Sequence, residues 1–261
     1  MKKLFLLLVI TSGTLFLSPS FAHPECFAKQ NVTKDQNKLN IGLLVVATGR
    51  YIEFVQPLIE SAEKYFCRNH NVTYFIFTDG QAPQAPNVVQ IYQKRLGWPY
   101  DTMMRLPMYF NNQDAYRTMD YLFACDADML FVDHVGDEIL GDLVGTLHPG
   151  YVGTKGTYET RPISTAYIHP REGRCYYAGG FNGGKRDEFL KLAGTISHNI
   201  KTDLDKGIIA VWHDESHLNR YYASNPPTIT LTPSYCYWQG QITQWPQKLI
   251  ALSKDHAKYR A

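Results

Sequence analysis

The stretch YLFACDADMLF, residues 121–131, is the part of the sequence that indicates the fold most clearly. Its first half has the continuous apolar character of a strand buried on both faces, and the chain then runs directly into Asp126 and Asp128. Apolar residues resume at Met129. The sequence therefore predicts a buried strand that places two carboxylates, in a D-x-D pair, inside a hydrophobic neighbourhood.

A divalent cation is the first hypothesis for this pair. Unpaired buried carboxylates are costly, and side chains two residues apart on an extended chain point to the same side. A shared cation would compensate both charges, and oxygen-only ligands suit Mg²⁺ or Mn²⁺, with a leaving nucleoside diphosphate supplying further oxygens. The alternative is a strand-end turn with two solvated aspartates, which the apolar flanks disfavour.

Strands alternate with helices upstream of this segment. Residues 41–47 form an apolar run, residues 51–66 carry apolar side chains at helical spacing, and residues 72–77 and 88–92 have the character of two further strands. This order predicts an α/β fold with a parallel sheet and right-handed crossovers, which binds ligands beyond the carboxyl ends of its strands. No Gly-x-Gly-x-x-Gly follows the first strand, so the dinucleotide fingerprint is missing.

The second dense cluster is WHDESHLN, residues 212–219. In a sugar-transfer site Glu215 could stabilise an oxocarbenium-like centre or attack the anomeric carbon, while Asp214 could bind a sugar hydroxyl. A zinc peptidase is disfavoured because the glutamate lies midway between His213 and His217, where neither zinc-helix motif has it. The remaining alternative is a polar helix N-terminus whose acidic residues favour the helix dipole.

A third motif, YYAGGFNGG at residues 176–184, combines aromatic residues with four glycines. Its backbone can approach a ligand closely because glycine has no side chain. A glycine-rich turn is the alternative interpretation.

The N-terminus has the pattern of an export signal. Two lysines precede an apolar stretch at residues 4–17, and the small residues Ser20 and Ala22 stand at the positions that a signal peptidase reads. The apolar run is shorter than the roughly 20 residues that span a membrane, so a signal peptide at residues 1–22 that is cleaved is preferred to a permanent anchor. We expect export to the periplasm, a secretory lumen or the cell exterior, with residues 23–39 as a short stem.

Charge and cysteine content narrow the function further. Twenty-six basic against 24 acidic residues give a net charge of +2, and no basic cluster longer than residues 2–3 occurs, so nucleic acid is not an expected partner. The five cysteines include no C-x-x-C pair, which disfavours a zinc ribbon or a redox dithiol. An odd number leaves their pairing open.

Together the motifs resemble glycosyltransferase family 6, the family of the histo-blood-group A and B transferases and the α-1,3-galactosyltransferase. The similarity runs from about residue 41 to the C-terminus. The order of the motifs carries it: FTDG at 77–80, WPYDTMMRLPM at 98–108, DYLFACDADMLFVDHVGDEIL at 120–140, GTLHPGYVG at 145–153, YYAGGFNGG at 176–184 and AVWHDESHLN at 210–219.

This resemblance implies a type A glycosyltransferase fold, a Rossmann-like mixed sheet flanked by helices, over residues 40–261. It also implies a retaining α-1,3-glycosyltransferase that moves GalNAc or Gal from a UDP-sugar to a galactose-containing acceptor glycan, with Mn²⁺ (or Mg²⁺) at the D-x-D. A C-terminal lid at about residues 250–261 would exclude water from the hydrolysable donor.

Matching positions carry the implied roles. Asp126 and Asp128 would hold metal and diphosphate, and Glu215 would be the nucleophile or the ion-pair stabiliser, with a covalent adduct and same-face attack both open. Donor binding is implied for Tyr51 beside the uridine, Arg105 and Asp214 at the donor sugar, Ala178, Gly179 and Gly180 in the third motif, and Lys254 and Arg260 in the lid. Acceptor binding is implied for His148, Thr157, Trp212 and Trp238.

Two positions refine the expected substrates. Ala178 and Gly180 are small, which leaves room for an N-acetyl group and favours UDP-GalNAc over UDP-Gal. Trp238 stands where family members commonly have an acidic acceptor-contacting residue, so the acceptor stays open. Both aspartates of the D-x-D are present, whereas some bacterial relatives lack the second one and work without metal.

Two other classes of protein compete with this interpretation. Phosphatases of the haloacid dehalogenase type also place D-x-D after a hydrophobic strand, but Met129 and Leu130 stand here where Thr or Val is expected. A non-catalytic glycan-binding module on a transferase fold is the third class. The intact D-x-D and Glu215 argue against it.

Overall fold

The computed structural model describes residues 38–242 and 244–260. The predicted signal peptide at 1–22 and the predicted stem up to residue 37 lie outside the described residues. Among the residues that are described, no helix is both long and apolar enough to cross a membrane.

A seven-stranded mixed sheet forms the centre of the fold. Its strands are β1 (Asn40–Val46), β2 (Asn71–Thr78), β3 (Val88–Tyr92), β4 (Tyr121–Cys125), β6 (Leu143–Leu147), β7 (Tyr177–Lys185) and β8 (Ile229–Leu231). They lie in the order β3-β2-β1-β4-β7-β6-β8. The first four strands in the chain are mutually parallel, as predicted, and their bounds agree with the sequence patterns to within a residue.

The chain reverses its direction across the sheet between β1 and β4. It moves outward from β1 through β2 to β3 and then returns to pair β4 with the other side of β1. A crevice opens at such a switch point because the connections leave opposite sides of the two strands. The turn after Cys125, which carries the D-x-D, therefore lies at the edge where open sheets bind ligands.

The glycine-rich motif forms a strand, so the interpretation as a turn is wrong. β7 pairs antiparallel with both β4 and β6, so the sheet is mixed, as the family resemblance implied, and not purely parallel as the strand–helix alternation alone suggested. Every residue of β7 except the last is buried. A Cβ atom at Gly183 would overlap the ring of Phe123, and Gly184 has a φ of +146°. Close packing and backbone conformation thus require glycine inside this strand.

Within the part of the chain that the structure describes, six α-helices flank the sheet: α1 (Val55–Tyr65), α2 (Tyr100–Met103), α3 (Arg105–Asn111), α4 (Arg186–Leu204), α5 (His213–Ser224) and α6 (His256–Arg260). The helix predicted for 51–66 is a 3₁₀ turn over Gly49–Phe54 followed by α1. The buried apolar residues form two clusters. One joins side chains of α1 to side chains of the sheet, and the other joins side chains of α4 to the sheet. Phe123 of β4 stacks on Phe181 of β7 at 5.6 Å.

A small second sheet brings the C-terminal segment to the D-x-D. β10 (Leu249–Ala251) pairs antiparallel with β5 (Met129–Phe131) and parallel with β9 (Tyr237–Trp238). The amide of Leu252 donates a 2.8 Å hydrogen bond to the carbonyl of Asp128. Residues beyond β10 are thereby fixed beside the two aspartates.

Candidate active site

Two cavities meet at the D-x-D. The first has a volume of about 200 Å³ and lies at the switch point beside the end of β1. The second has a volume of about 440 Å³ and lies between β7 and the C-terminal segment. Six predicted donor-site residues line the first: Tyr51, Arg105, Asp126, Asp128, Lys254 and Arg260. Eight predicted residues line the second: Asp126, Asp128, His148, Ala178, Gly180, Glu215, Trp238 and Lys254.

The D-x-D occupies a turn between β4 and β5 and is not extended, which corrects one premise of the metal hypothesis. Both aspartates nevertheless face the same two cavities. The side chain of Asp128 is 9% exposed and that of Asp126 is 39% exposed, so only one carboxylate is buried as expected. Burial raises the pKa of Asp128, and the neighbouring charge of Asp126 adds to this, while Lys254 opposes it.

Each aspartate pairs with a basic side chain. Arg105 forms an ion pair with Asp126, and Lys254 forms one with Asp128. Arg105 also donates to Asp214 through Nε at 3.0 Å and Nη2 at 2.6 Å. Arg105 and Asp214 are both buried, and breaking such a pair leaves an uncompensated charge. The arginine thus ties the end of β4 to the start of α5.

Glu215 is held at both of its carboxylate oxygens. The hydroxyl of Tyr176 donates to Oε1 at 2.8 Å, and the amide of Gly179 donates to Oε2 at 2.8 Å. Burial raises the pKa of Glu215 to about 7, although these two hydrogen bonds act in the opposite direction. The carboxylate is therefore fixed in orientation at the wall of the second cavity.

Glu215 lies in the first turn of α5, so the predicted polar helix N-terminus is also present. His213 precedes it with a φ of +53°, a left-handed conformation that non-glycine residues rarely adopt. The amide of Trp212 donates to Ser216 Oγ at 2.9 Å and closes the first turn. Asp214 and Glu215 thus lie in the first turn of α5, where the positive end of the helix dipole favours negative charge, so the helix start is also part of the candidate active site.

The predicted lid contacts the rim of the first cavity. Tyr259 of α6 lies with its ring centroid 5.6 Å from that of Tyr51 and 4.8 Å from that of Phe54. The guanidinium of Arg260 lies 3.6 Å from the centre of the Trp98 ring. No residue of α6 is buried. Aromatic and cation contacts therefore hold this helix at the surface.

The predicted acceptor residues divide into two groups. His148 and Trp238 face each other with ring centroids 5.8 Å apart, and burial lowers the pKa of His148 to about 4, which leaves its imidazole neutral at pH 7. Thr157 and Trp212 line neither cavity. Thr157 donates to the hydroxyl of Tyr151, whose ring is 4.9 Å from His148.

The remaining third-motif residues shape the second cavity. Ala178 is buried and contributes only a methyl group to the wall. A Cβ atom at Gly180 would lie 3.4 Å from the Asp126 carboxylate, the Cys236 sulfur and the Met129 sulfur. Larger side chains at either position would fill space next to the D-x-D.

Two residues of this site were missed as candidates although the quoted motifs contain them. Tyr176 contacts Glu215 directly, and Trp98 contacts both Arg260 and His213, the latter with ring centroids 5.0 Å apart. Neither has a spacing signal, since the partners are distant in the sequence. His217, by contrast, is buried with its Nε2 3.8 Å from Asp203, whereas the ring of His213 packs against that of Trp98. Among the described residues no three potential zinc ligands group together, so the structure does not support a zinc helix.

The D-x-D provides a donor set that fits a divalent cation. Within residues 38–242 and 244–260, no three His, Cys, Asp or Glu side chains group around one point, so Asp126 and Asp128 would supply two protein ligands. One or two carboxylates completed by substrate phosphate oxygens and water is a usual Mg²⁺ arrangement. Burial raises the pKa of Asp128 and the charge of Asp126 adds to this, so a cation beside both carboxylates would stabilise their ionised forms.

The mixed α/β fold, with a D-x-D at its switch point and a fixed glutamate beside it, defines a glycosyltransferase. The sequence profile of glycosyltransferase family 6 matches residues 23–260. The chain belongs to this family, and the resemblance found in the motifs is confirmed.

Glycosyltransferases from other organisms are similar to this chain over most of its length. Rat histo-blood group ABO system transferase 1 is 40% identical over 254 residues, covering 90% of this chain and 71% of the rat protein. Human globoside alpha-1,3-N-acetylgalactosaminyltransferase 1 is 38% identical over 229 residues, covering 82% of this chain and 66% of the human protein. The O-antigen biosynthesis glycosyltransferase WbnI of Escherichia coli is 30% identical over 216 residues, covering 80% of this chain and 88% of the bacterial protein.

The protein is a hexosyltransferase with a type A glycosyltransferase fold. The phosphatase alternative finds no support in these matches.

Proposed function

We propose that this protein is a retaining α-1,3-glycosyltransferase that transfers GalNAc from UDP-GalNAc to a galactose-containing acceptor glycan. The observation that carries the proposal is Glu215, fixed by Tyr176 and Gly179 on the cavity that also contains the D-x-D. The name of the human relative, a globoside alpha-1,3-N-acetylgalactosaminyltransferase, supports both the class of sugar and the α-1,3 linkage.

The first cavity would bind the nucleoside diphosphate. Asp126 and Asp128 would hold Mn²⁺, or Mg²⁺, which when bound neutralises charge on the leaving diphosphate. Lys254 and Arg260 line the same cavity and would add positive charge around the phosphates, while Tyr51 offers an aromatic face for the uracil base.

The donor sugar would lie between the two cavities. Arg105 lines the first cavity and would hydrogen-bond the sugar hydroxyls together with Asp214, which pairs with Arg105 but lines neither cavity itself. Glu215 would either attack the anomeric carbon or stabilise its positive charge during same-face attack, and both schemes need the ionised carboxylate.

The acceptor would enter the second cavity beside His148 and Trp238. The indole of Trp238 is half exposed at the mouth of this cavity, where it can stack on the apolar face of a sugar ring. Thr157 and Trp212 would contact more distant parts of the glycan. The small Ala178 and Gly180 would leave room for the N-acetyl group, which favours UDP-GalNAc over UDP-Gal.

Release of UDP tests the proposal. The assay would use UDP-GalNAc and UDP-Gal, with and without Mn²⁺, and a panel of galactose-terminated and fucosylated acceptors. We expect release that requires Mn²⁺, is faster with UDP-GalNAc and rises with one acceptor. If the folded protein released no UDP from either donor, this would refute the proposal and favour the glycan-binding alternative.

We also propose that the chain is exported and loses residues 1–22, because the N-terminal pattern is that of a cleaved signal. Sequencing the N-terminus of the protein after export tests this. An intact Met1 on exported protein would overturn it.

A further inference from the structure

Glu159 lies outside both cavities, in the long connection between β6 and β7, yet it is almost completely buried at 2% exposure. Its carboxylate accepts four hydrogen bonds. Oε1 accepts from the amide of Arg161 at 2.8 Å and from its Nε at 2.9 Å. Oε2 accepts from Nη2 of Arg161 at 2.6 Å and from the amide of Val211 at 3.0 Å. A buried carboxylate satisfied this completely is held in one orientation.

The same pair also contacts the chain on the other side of Val211. Nη2 of Arg161 donates to the carbonyl of Ile209 at 2.6 Å. Glu159 and Arg161 together therefore pair with the two backbone groups, one donor and one acceptor, that an adjacent strand would use. Residues 209–211 have no strand partner in the sheets and are fixed by these two side chains instead.

The fixed segment leads directly into the reactive helix. Two residues after Val211 the backbone adopts the left-handed conformation at His213, and Asp214 and Glu215 follow. A non-glycine residue in this conformation is strained and persists only where its surroundings impose it. After His213 in the chain, Arg105 holds the carboxylate of Asp214 and the amide of Gly179 holds that of Glu215. Before His213, the contacts of Glu159 and Arg161 hold the segment 209–211 that leads into the helix.

We propose that Glu159 and Arg161 are positioning residues that hold residues 209–211 and thereby set the orientation of Asp214 and Glu215. This inference rests on the proposed function, since it assigns the reaction to the first turn of α5. Thr157, a predicted acceptor residue, is two positions before Glu159 on the same connection. This clamp, the Glu159–Arg161 pair with its hydrogen bonds to residues 209–211, thus joins the connection that carries Thr157 to the catalytic helix.

Arg161→Ala is the most direct test because the arginine side chain is 50% exposed, so its removal leaves no core cavity. A displacement near 1 Å at a reactive group can cost about a hundredfold in rate. We expect kcat to fall about 10–100-fold with KM for the UDP-sugar within about twofold. Millimolar guanidinium should restore part of kcat in Arg161→Ala. Arg171→Ala, which removes an exposed arginine of the same connection, should behave like the wild type.

Hydrogen exchange of the backbone provides a readout that needs no activity. Glu159→Gln and Arg161→Ala should both accelerate exchange in the peptide that spans residues 208–218, and leave β4 unchanged. Unaltered exchange there would overturn the clamp itself. Two outcomes would overturn the positioning role. One is faster exchange with unchanged kcat. The other is a loss of kcat that parallels a fall in Tm and that guanidinium does not restore. A wild type that transfers no sugar would refute the proposed function, and the exchange result would still decide the clamp.

Discussion

The hydroxyl of Tyr176 donates a 2.8 Å hydrogen bond to Glu215, which lies 39 positions further along the chain: Tyr176 directly precedes β7, whereas Glu215 belongs to α5. The Tyr176 ring is buried and packs against the rings of Tyr151 and Tyr158 at 4.9 and 5.3 Å. The phenol therefore cannot turn away from the carboxylate without disturbing these neighbours. Its hydrogen bond is a fixed part of the surroundings of Glu215.

Replacing Tyr176 by Phe should lower kcat about tenfold or more, since hydrogen bonds to charged groups contribute about 1.5–3 kcal/mol. The ring contacts are retained, so Tm should stay close to that of the wild type. Steady-state kinetics and thermal unfolding would check both. Tyr177→Phe is the matched control, because that hydroxyl pairs with Thr230 at 3.3 Å and not with Glu215. Equal kcat values for the two variants would contradict the assignment.

Replacing Glu215 by Gln should remove most of the turnover, about a hundredfold or more, because a neutral amide neither attacks nor stabilises the anomeric centre. Binding of UDP and Mn²⁺ should be retained, since Glu215 does not line the first cavity. Calorimetric titration of the variant would measure this. Glu188→Gln, an exposed change on α4, serves as the control. Unchanged turnover in Glu215→Gln would remove this residue from the mechanism.

The pH dependence follows from the raised pKa of Glu215. Burial moves this carboxyl from its ordinary 4.5 to about 7, so the ionised fraction in the folded enzyme rises through neutral pH. We expect kcat/KM, which reports the free enzyme, to fall as the pH drops below about 7. In Tyr176→Phe the midpoint should move to higher pH, because a hydrogen bond that favours the ionised form is lost. A profile that is flat from about pH 5.5 to 8 would contradict this account.

Removing residues 256–261 tests the lid. Because α6 contains no buried residue, the truncated protein should unfold at nearly the same temperature as the full chain. Transfer should fall, with KM for the UDP-sugar raised, because the cation of Arg260 leaves the first cavity. Tyr259→Phe is the milder comparison, since it loses only the 3.1 Å hydrogen bond to Glu53 and keeps the ring contacts. Full activity after truncation would dismiss the lid.

Enlarging Ala178 tests the donor preference. Ala178→Met should reduce the ratio of GalNAc to Gal transfer about tenfold or more, since a longer side chain would occupy the space proposed for the N-acetyl group. Competition of both donors in one reaction, read by product mass, measures this ratio directly. Inhibition by UDP should be unaffected because Ala178 does not line the first cavity. An unaltered ratio would locate the determinant elsewhere.

Features that depend only on residues adjacent in the chain could be predicted from the amino-acid sequence. The apolar runs before Thr48 and Asp126 define strands β1 and β4, and the D-x-D that follows β4 indicates where the ligand site lies. The order of the motifs also indicated the family, which the sequence profile confirms. These features could be predicted because a buried strand and a polar strand end are patterns of adjacent side chains.

The contacts that hold the site together could be seen only in the tertiary structure. β7 is a strand although it contains four glycines, because its buried neighbours leave no room for side chains at Gly183 and Gly184. Arg105 meets Asp214 across 109 residues, and Glu159 meets Val211 across 52. No periodic pattern links residues so far apart. Their contacts exist because parallel crossovers bring distant strand ends to one edge of the sheet, where buried charges must find partners to be stable.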